Sequence, residues 1–191
     1  MGSLIVGVVL VVAALVAALY VGYRQENTAA VVNTAAAVAL VFVSAGAPVA
    51  LGDGQPSRVA ALTLWVAVAG FLHALGMLGR YDSVWWWDHL THTFSAALAA
   101  ALLYAALLVI GWHNAVALTL LGILFLGVLW EVGELVAREV ADWYDIEPVL
   151  VHYGWRDTAL DLVFDVVGAA LVVALDLRLF VPLVEWLASA G

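Results

Sequence analysis

The chain has 191 residues, 66% of them hydrophobic and 11% charged, with a mean hydropathy of +1.10, far above the apolar share of a soluble domain. The composition reads as an all-α, polytopic membrane protein: a single transmembrane helical domain over residues 1–191, seated in the cell membrane with the lipid bilayer as its first partner. Six basic residues, all Arg, against 15 acids give a net charge of −9, which excludes nucleic acid as a partner, and the absence of cysteine excludes disulfides, thiolate metal sites and cysteine nucleophiles.

About 20 apolar residues cross a bilayer, and six such runs follow one another. The first, Leu4 to Tyr23, has no basic segment before it and is too long for a signal h-region, so it is expected to be retained. The second runs from Thr28 to Leu51 and ends in a turn, Gly52-Asp53-Gly54-Gln55-Pro56. The third is Val59 to Gly79, with His73 about two turns before its end. Next comes Trp85-Trp86-Trp87-Asp88-His89-Leu90-Thr91-His92, in which three indoles mark a headgroup level and lead into the fourth run, Asp88 to Trp112. His113-Asn114 turns the chain into the fifth run, Ala115 to Ala137. An amphipathic connection, Arg138 to Arg156, is read as an interfacial helix or a lid, and precedes the sixth run, Asp157 to Leu175. The tail from Asp176 either extends that helix or lies at the surface. Arg24, Arg80, Arg138 and Arg156 fall in the loops after runs one, three and five, against Arg58 and Arg178 on the other side, which places the former loops in the cytoplasm.

The informative residues are ionisable groups inside these runs. Asp88 and His92, four apart, share a helix face. Glu131 and Glu134 lie near the end of run five, and Asp157, Asp161 and Asp165 form one stripe at the start of run six. With a rise of ~1.5 Å per residue, His92 and Asp161 are ~6 Å deep, Glu131 ~9 Å and His73 ~10 Å, so they occupy one layer. Six lone charged acids cost on the order of 15 kcal/mol at helix centres, and no Arg lies within the spans to pair with them. Protons or bound cations must neutralise them. Oxygen ligands with an imidazole suit Mg²⁺, Mn²⁺, Fe²⁺ or Zn²⁺.

The ligand candidates for a divalent metal ion are Asp88, His92, Glu131, Asp157 and Asp161, with Glu134 or His73 as general base. Plainer roles stand beside these: Asp88 as an interfacial anchor, His89 (turned ~100° away) as a supporting residue, Glu134 as a rim partner of Arg138, and Asp157 as a helix N-cap. Ala97, Ala101 and Ala105 form a small-residue seam for close helix packing.

The order Asp-x3-His, Glu-x2-Glu, Asp-Thr-x2-Asp-x6-Gly-Ala, carried by Asp88/His92, Glu131/Glu134 and Asp157-Thr158/Asp161/Gly168-Ala169, resembles the YjdF-type inner-membrane proteins and, more distantly, the VanZ-like proteins. The VanZ-like pattern has Lys where this chain has His89, and Asn where it has Asp165. The resemblance implies a multi-pass envelope protein, linked in the VanZ case to glycopeptide susceptibility, and names no reaction. Three functions fit the residues: a metal-dependent hydrolase or group transferase acting on a lipid or lipid-linked substrate, a cation- or proton-coupled transporter, and a noncatalytic assembly protein. Polar groups are confined to one end of runs four to six, apart from Tyr104 and Thr119, which suits an enzyme reached from the interface better than a conduit.

Overall fold

The computed structural model describes residues 2–50, 59–150 and 153–190, all helical or in the connections between helices. The expected end of the second run at Leu51, the turn at 52–56 and Arg58 lie outside the described residues. The chain gathers into two compact units, one comprising the described residues up to Gly79 together with those from Leu179, the other Arg80–Arg178.

The first unit packs α1 (Gly2–Arg24), α2 (Thr28–Ala50) and α3 (Ala60–Leu75) against one another. At ~1.5 Å per residue, 23 residues are long enough to cross a hydrocarbon core of ~30 Å. Their core is built from small and β-branched residues, Ala18, Ala37, Val41, Ala67 and Ala74 around Leu15. At Gly70 a side chain would run into Ala37 Cβ, so α2 and α3 touch there almost backbone to backbone. Asn27 organises the α1–α2 turn: its Oδ1 accepts from the Ala30 amide at 2.8 Å, an N-cap, while its Nδ2 donates to Met77 O at 3.0 Å. α3 continues into a wider turn, Gly76–Arg80, that breaks at Gly79 (φ 105), a backbone angle suited to glycine. The same unit includes α8 (Val181–Ala190), preceded by the buried Phe180, whose ring lies 5.9 Å from Trp65. The tail is therefore a separate helix rather than an extension of its predecessor.

The second unit begins with a single turn, α4 (Tyr81–Ser83), and contains three long helices: α5 (Trp87–Ile110), α6 (Ala115–Tyr144) and α7 (Trp155–Ala174). α5 stops at Gly111 (φ 79), where the amides of Gly111 and Trp112 bond back to Leu108 O and Leu107 O. α6 departs most from expectation. It runs for 30 residues, ~45 Å, past Ala137 and into the supposed connection as far as Tyr144. No Pro or Gly follows Gly133 until Pro148, so the helix does not stop where hydrophobicity does; it ends at Asp145 (φ 53). The connection is thus short, from Asp145 to Gly154. Gly154 (φ 109) caps α7, which places Asp157 within the first turn and corrects its reading as the N-cap.

Five described helices or helix pairs are long and apolar enough to cross a membrane: α1, α2, α3 with α4, α5 and α6. α7 has the length at 20 residues, but any 18 of them retain Asp157, Asp161 and Asp165. The outer face of α6, including Leu121, Phe125, Leu129 and Val136, is exposed and apolar, as a lipid-facing surface requires. At the ends of α6 and α7 that flank the short connection, Trp143, Tyr144 and Trp155 project outward, and Trp85 does so before α5, a distribution matching the expected aromatic belt.

α5 packs most extensively on α7. Ala96, Ala100, Ala101 and Ala105 are buried on α5, Gly168 and Ala169 on α7. A Cβ on Gly168 would collide with the Thr93 carbonyl oxygen and sit 3.0 Å from the Ala97 amide nitrogen. Both are backbone atoms and cannot rotate away. Gly168→Ala should therefore destabilise the protein by about 1–3 kcal/mol, seen as a lowered midpoint of unfolding in detergent; an unchanged midpoint would contradict this contact.

Candidate metal centre

Three helix ends supply the centre: the first turns of α5, the last third of α6 and the first turns of α7. On α5, the spacing Asp88-x3-His92 stacks both side chains on the face turned to α7, and on α7 Asp161 and Asp165 meet them. The α5–α7 closeness at Gly168, which meets Thr93 and Ala97 just past His92, sets how near these side chains come. Gly127 of α6 also makes room: a Cβ there would fall 2.5 Å from Asp165 Oδ2 and push that carboxylate aside.

His92 is the hub. Its Nδ1 lies 3.1 Å from Asp165 Oδ1, a hydrogen bond in which the ring donates when Asp165 is ionised. Its Nε2 lies 3.8 Å from Asp88 Oδ1 and 3.9 Å from Asp161 Oδ1. Those two separations are too long for hydrogen bonds. Asp88, His92 and Asp161 each offer one atom, and all three atoms lie within 4.8 Å of one another. Ligand atoms about 2.1 Å from an octahedral ion stand ~3.0 Å apart when adjacent and ~4.2 Å apart when opposite, so the three atoms stand somewhat wider than adjacent ligands and would draw inward around a cation.

The hydrogen-bonding ledger supports the same reading. Asp161 is 3% exposed, and its Oδ1 is buried without a hydrogen-bond partner. So are Glu131 Oε1 and His89 Nδ1. Leaving such atoms unsatisfied costs about 1–3 kcal/mol each, more when charged. Three carboxylates, Asp88, Asp161 and Asp165, surround one imidazole, so a protonated His92 offsets one charge at most and protons or a cation must offset the rest.

The remaining expected residues are placed as follows. Glu131, 5% exposed, lies outside the compact trio; its Oε2 accepts from Thr158 Oγ1 at 2.7 Å. Asp157 contributes no atom to the trio either. Glu134 accepts at Oε1 from the Trp130 indole at 2.8 Å, and among the described residues no ion pair joins it to Arg138. His73 belongs to the first unit, where its Nε2 lies 3.2 Å from Asn33 Oδ1. Beside the centre, Thr91 donates to Asp88 O at 2.8 Å and receives Tyr81 OH at 3.4 Å. Tyr153 in the short connection donates to Asp82 Oδ1 at 3.0 Å; partial burial and that bond push its phenol pKa up, so it stays protonated.

Asp165 as partner of His92, Thr158 as partner of Glu131 and Trp130 as partner of Glu134 were not assigned from sequence. Two of them had a signal there. Asp165 follows Asp161 by one turn on the same stripe, and Trp130 precedes Glu134 by four residues. Thr158 needed the packing of α6 on α7.

Comparison with known proteins agrees with this architecture. The profile of a family described as "Predicted membrane protein (DUF2238)" matches residues 5–181. An uncharacterized protein of Thermotoga maritima is 28% identical over 112 residues, 55% of this chain. The match spans 56% of that relative, so the chain covers about half the length of the curated relative it matches. No solved structure matches. Nothing in these matches supports the more distant VanZ-like resemblance.

Because Thr158 Oγ1 is the hydrogen-bond donor to Glu131, Thr158→Val should strand a second Glu131 oxygen and cost about 1–3 kcal/mol, whereas Thr158→Ser should keep stability near wild type. Equal unfolding midpoints for the Val and Ser variants would show that this bond does not hold Glu131.

Proposed function

The chain belongs to the DUF2238 family of membrane proteins, and on that footing we propose that it is an intramembrane enzyme of the YjdF type: a divalent-metal-dependent hydrolase or group transferase acting on a lipid or lipid-linked substrate. The observation that carries this reading is the trio Asp88, His92 and Asp161, spaced for an ion, with the buried Asp161 Oδ1 left without a hydrogen bond. Asp88, His92 and Asp161 would hold the ion, which when bound would supply a water of lowered pKa and Lewis-acid polarisation of an ester or phosphoryl oxygen.

The protein's own residues do the rest. Asp165, hydrogen-bonded to Nδ1, fixes the tautomer of His92 so that the Nε2 lone pair faces Asp88 and Asp161. Glu134, one turn beyond Glu131 and oriented by Trp130, is the better-placed of the two general-base candidates. His73 is engaged with Asn33 in the other unit. A substrate reaches such a centre from the headgroup level, where the short connection and the exposed Trp85, Trp143 and Trp155 lie.

The transporter reading finds less support. Inward of His92, the buried face of α5 is Ala96, Ala100 and Ala101 as far as Tyr104, which donates to Asp176 at 2.9 Å, with Arg178 on the same carboxylate. An apolar layer thus separates the two polar ends, and an ion path needs polar groups through it.

Two outcomes test the proposal. The purified protein should contain a stoichiometric divalent metal, lost in His92→Ala, and Asp165→Asn should weaken metal affinity roughly 10- to 100-fold. In proteoliposomes containing mixed phospholipids and a polyprenyl phosphate, metal-replete protein should release soluble headgroup or inorganic phosphate, and EDTA or His92→Ala should abolish the release. Protein that stays metal-free under replete conditions, or turnover that is indifferent to EDTA, would refute it.

A further inference from the structure

Resting on that reading, we propose that His89 is a positioning residue of the centre: its Nδ1–H closes onto the Asp161 carboxylate when the cation is bound and holds that ligand in place.

Two orphaned atoms face each other beside the trio. Asp161 Oδ1 and His89 Nδ1 are both buried without a hydrogen-bond partner, and they lie 3.8 Å apart. One is an acceptor and the other, as Nδ1–H, a donor, so each supplies what the other lacks. An N–H···O bond spans about 2.7–3.2 Å, so a movement of about 0.6 Å completes this one. The other two ligands already have such support. His92 Nδ1 is bonded to Asp165 at 3.1 Å, and Asp88 Oδ1 receives Thr91 Oγ1 at 3.4 Å. Among the described residues, Asp161 alone of the three presents its ligand atom unsupported.

His89 offers no atom to the trio itself, so it acts through Asp161. Its ring is set for this by packing on the helix that carries Asp161. It stacks on Phe164 at 4.4 Å and 8°, and meets the edge of Trp85 at 6.2 Å. Phe164 follows Asp161 by three residues on α7, so the clamp and the carboxylate share one face of that helix. With no ion between the ligands, Asp161 Oδ1 stands 3.8 Å from His89 Nδ1 and 3.9 Å from His92 Nε2 and bonds to neither. An ion shared with His92 takes the second place, and the first falls to the His89 N–H. Hydrogen-bond partners of this kind orient a ligand and raise metal affinity.

The test titrates Mn²⁺ into the full-length protein in nanodiscs, reads the free ion by electron paramagnetic resonance, and records unfolding midpoints beside it. His89→Phe keeps an aromatic ring against Phe164 and removes the donor; it should weaken Mn²⁺ affinity roughly 10- to 100-fold with little change in midpoint. His89→Asn carries an amide N–H as many bonds from the backbone as Nδ1, and should return the affinity close to wild type. Phe164→Leu, which loosens the clamp and leaves both orphaned atoms in place, should weaken binding as well. Wild-type affinity in His89→Phe or, where that variant does not fold, in Phe164→Leu, overturns the role of His89 while leaving the trio standing. So does a His89→Asn protein that binds as weakly as His89→Phe. A wild type that binds no Mn²⁺ overturns the trio and this role together.

Discussion

An uncompensated cluster of carboxylates in an apolar surround is the constraint on which the second unit depends. Asp88, Asp161 and Asp165 converge on His92, Glu131 is buried nearby, and no Arg enters the group. Buried charge without a partner is not tolerated, so protons or a shared cation must neutralise these groups. The unsatisfied Asp161 Oδ1 and the 3.8 and 3.9 Å gaps around His92 Nε2 are where the proposed cation would sit. Side chains bonded directly to one another would have closed those gaps.

The helices can be understood as the means of holding the gaps open. Gly168 lets α7 approach the α5 backbone, and Gly127 leaves room on α6 for the Asp165 carboxylate. Both glycines act through the absence of a side chain rather than through an unusual backbone angle. Rigid close packing of Gly168 on the backbone of Thr93 and Ala97 then fixes the separation of Asp88, His92 and Asp161, and hydrogen bonds between His92 and Asp165 and from Thr158 to Glu131 restrict the remaining rotations. Near the rim, the Tyr153–Asp82 bond fastens the short connection to the turn before α5.

Much of this was legible in the sequence because membrane helices write their positions plainly. Apolar length predicted the long helices, and the i, i+4 spacings of Asp88/His92 and Asp161/Asp165 predicted which acids share a face. The one-layer argument, built only on rise per residue, put His92, Asp161, Glu131 and His73 at one level; of these the structure gathers His92 and Asp161 around Asp88, holds Glu131 through Thr158, and engages His73 with Asn33 in the first unit. What stayed hidden depended on packing between helices. Glu131 was expected beside His92 but is held by Thr158, a contact set by how α6 rotates against α7. His89 was read as peripheral from its ~100° offset, yet its ring is clamped by Phe164 with Nδ1 near Asp161. Helix α6 was cut short at Ala137 because hydrophobicity ends there, whereas backbone hydrogen bonding continues until Asp145.

The central claim is that a cation occupies the space enclosed by Asp88 Oδ1, His92 Nε2 and Asp161 Oδ1. Crystals grown with Mn²⁺ and measured at the manganese absorption edge test it most directly. The account predicts an anomalous peak within about 2.1–2.3 Å of all three atoms. Absence of that peak, with Asp161 Oδ1 hydrogen-bonded to water or to a protonated neighbour, would contradict it.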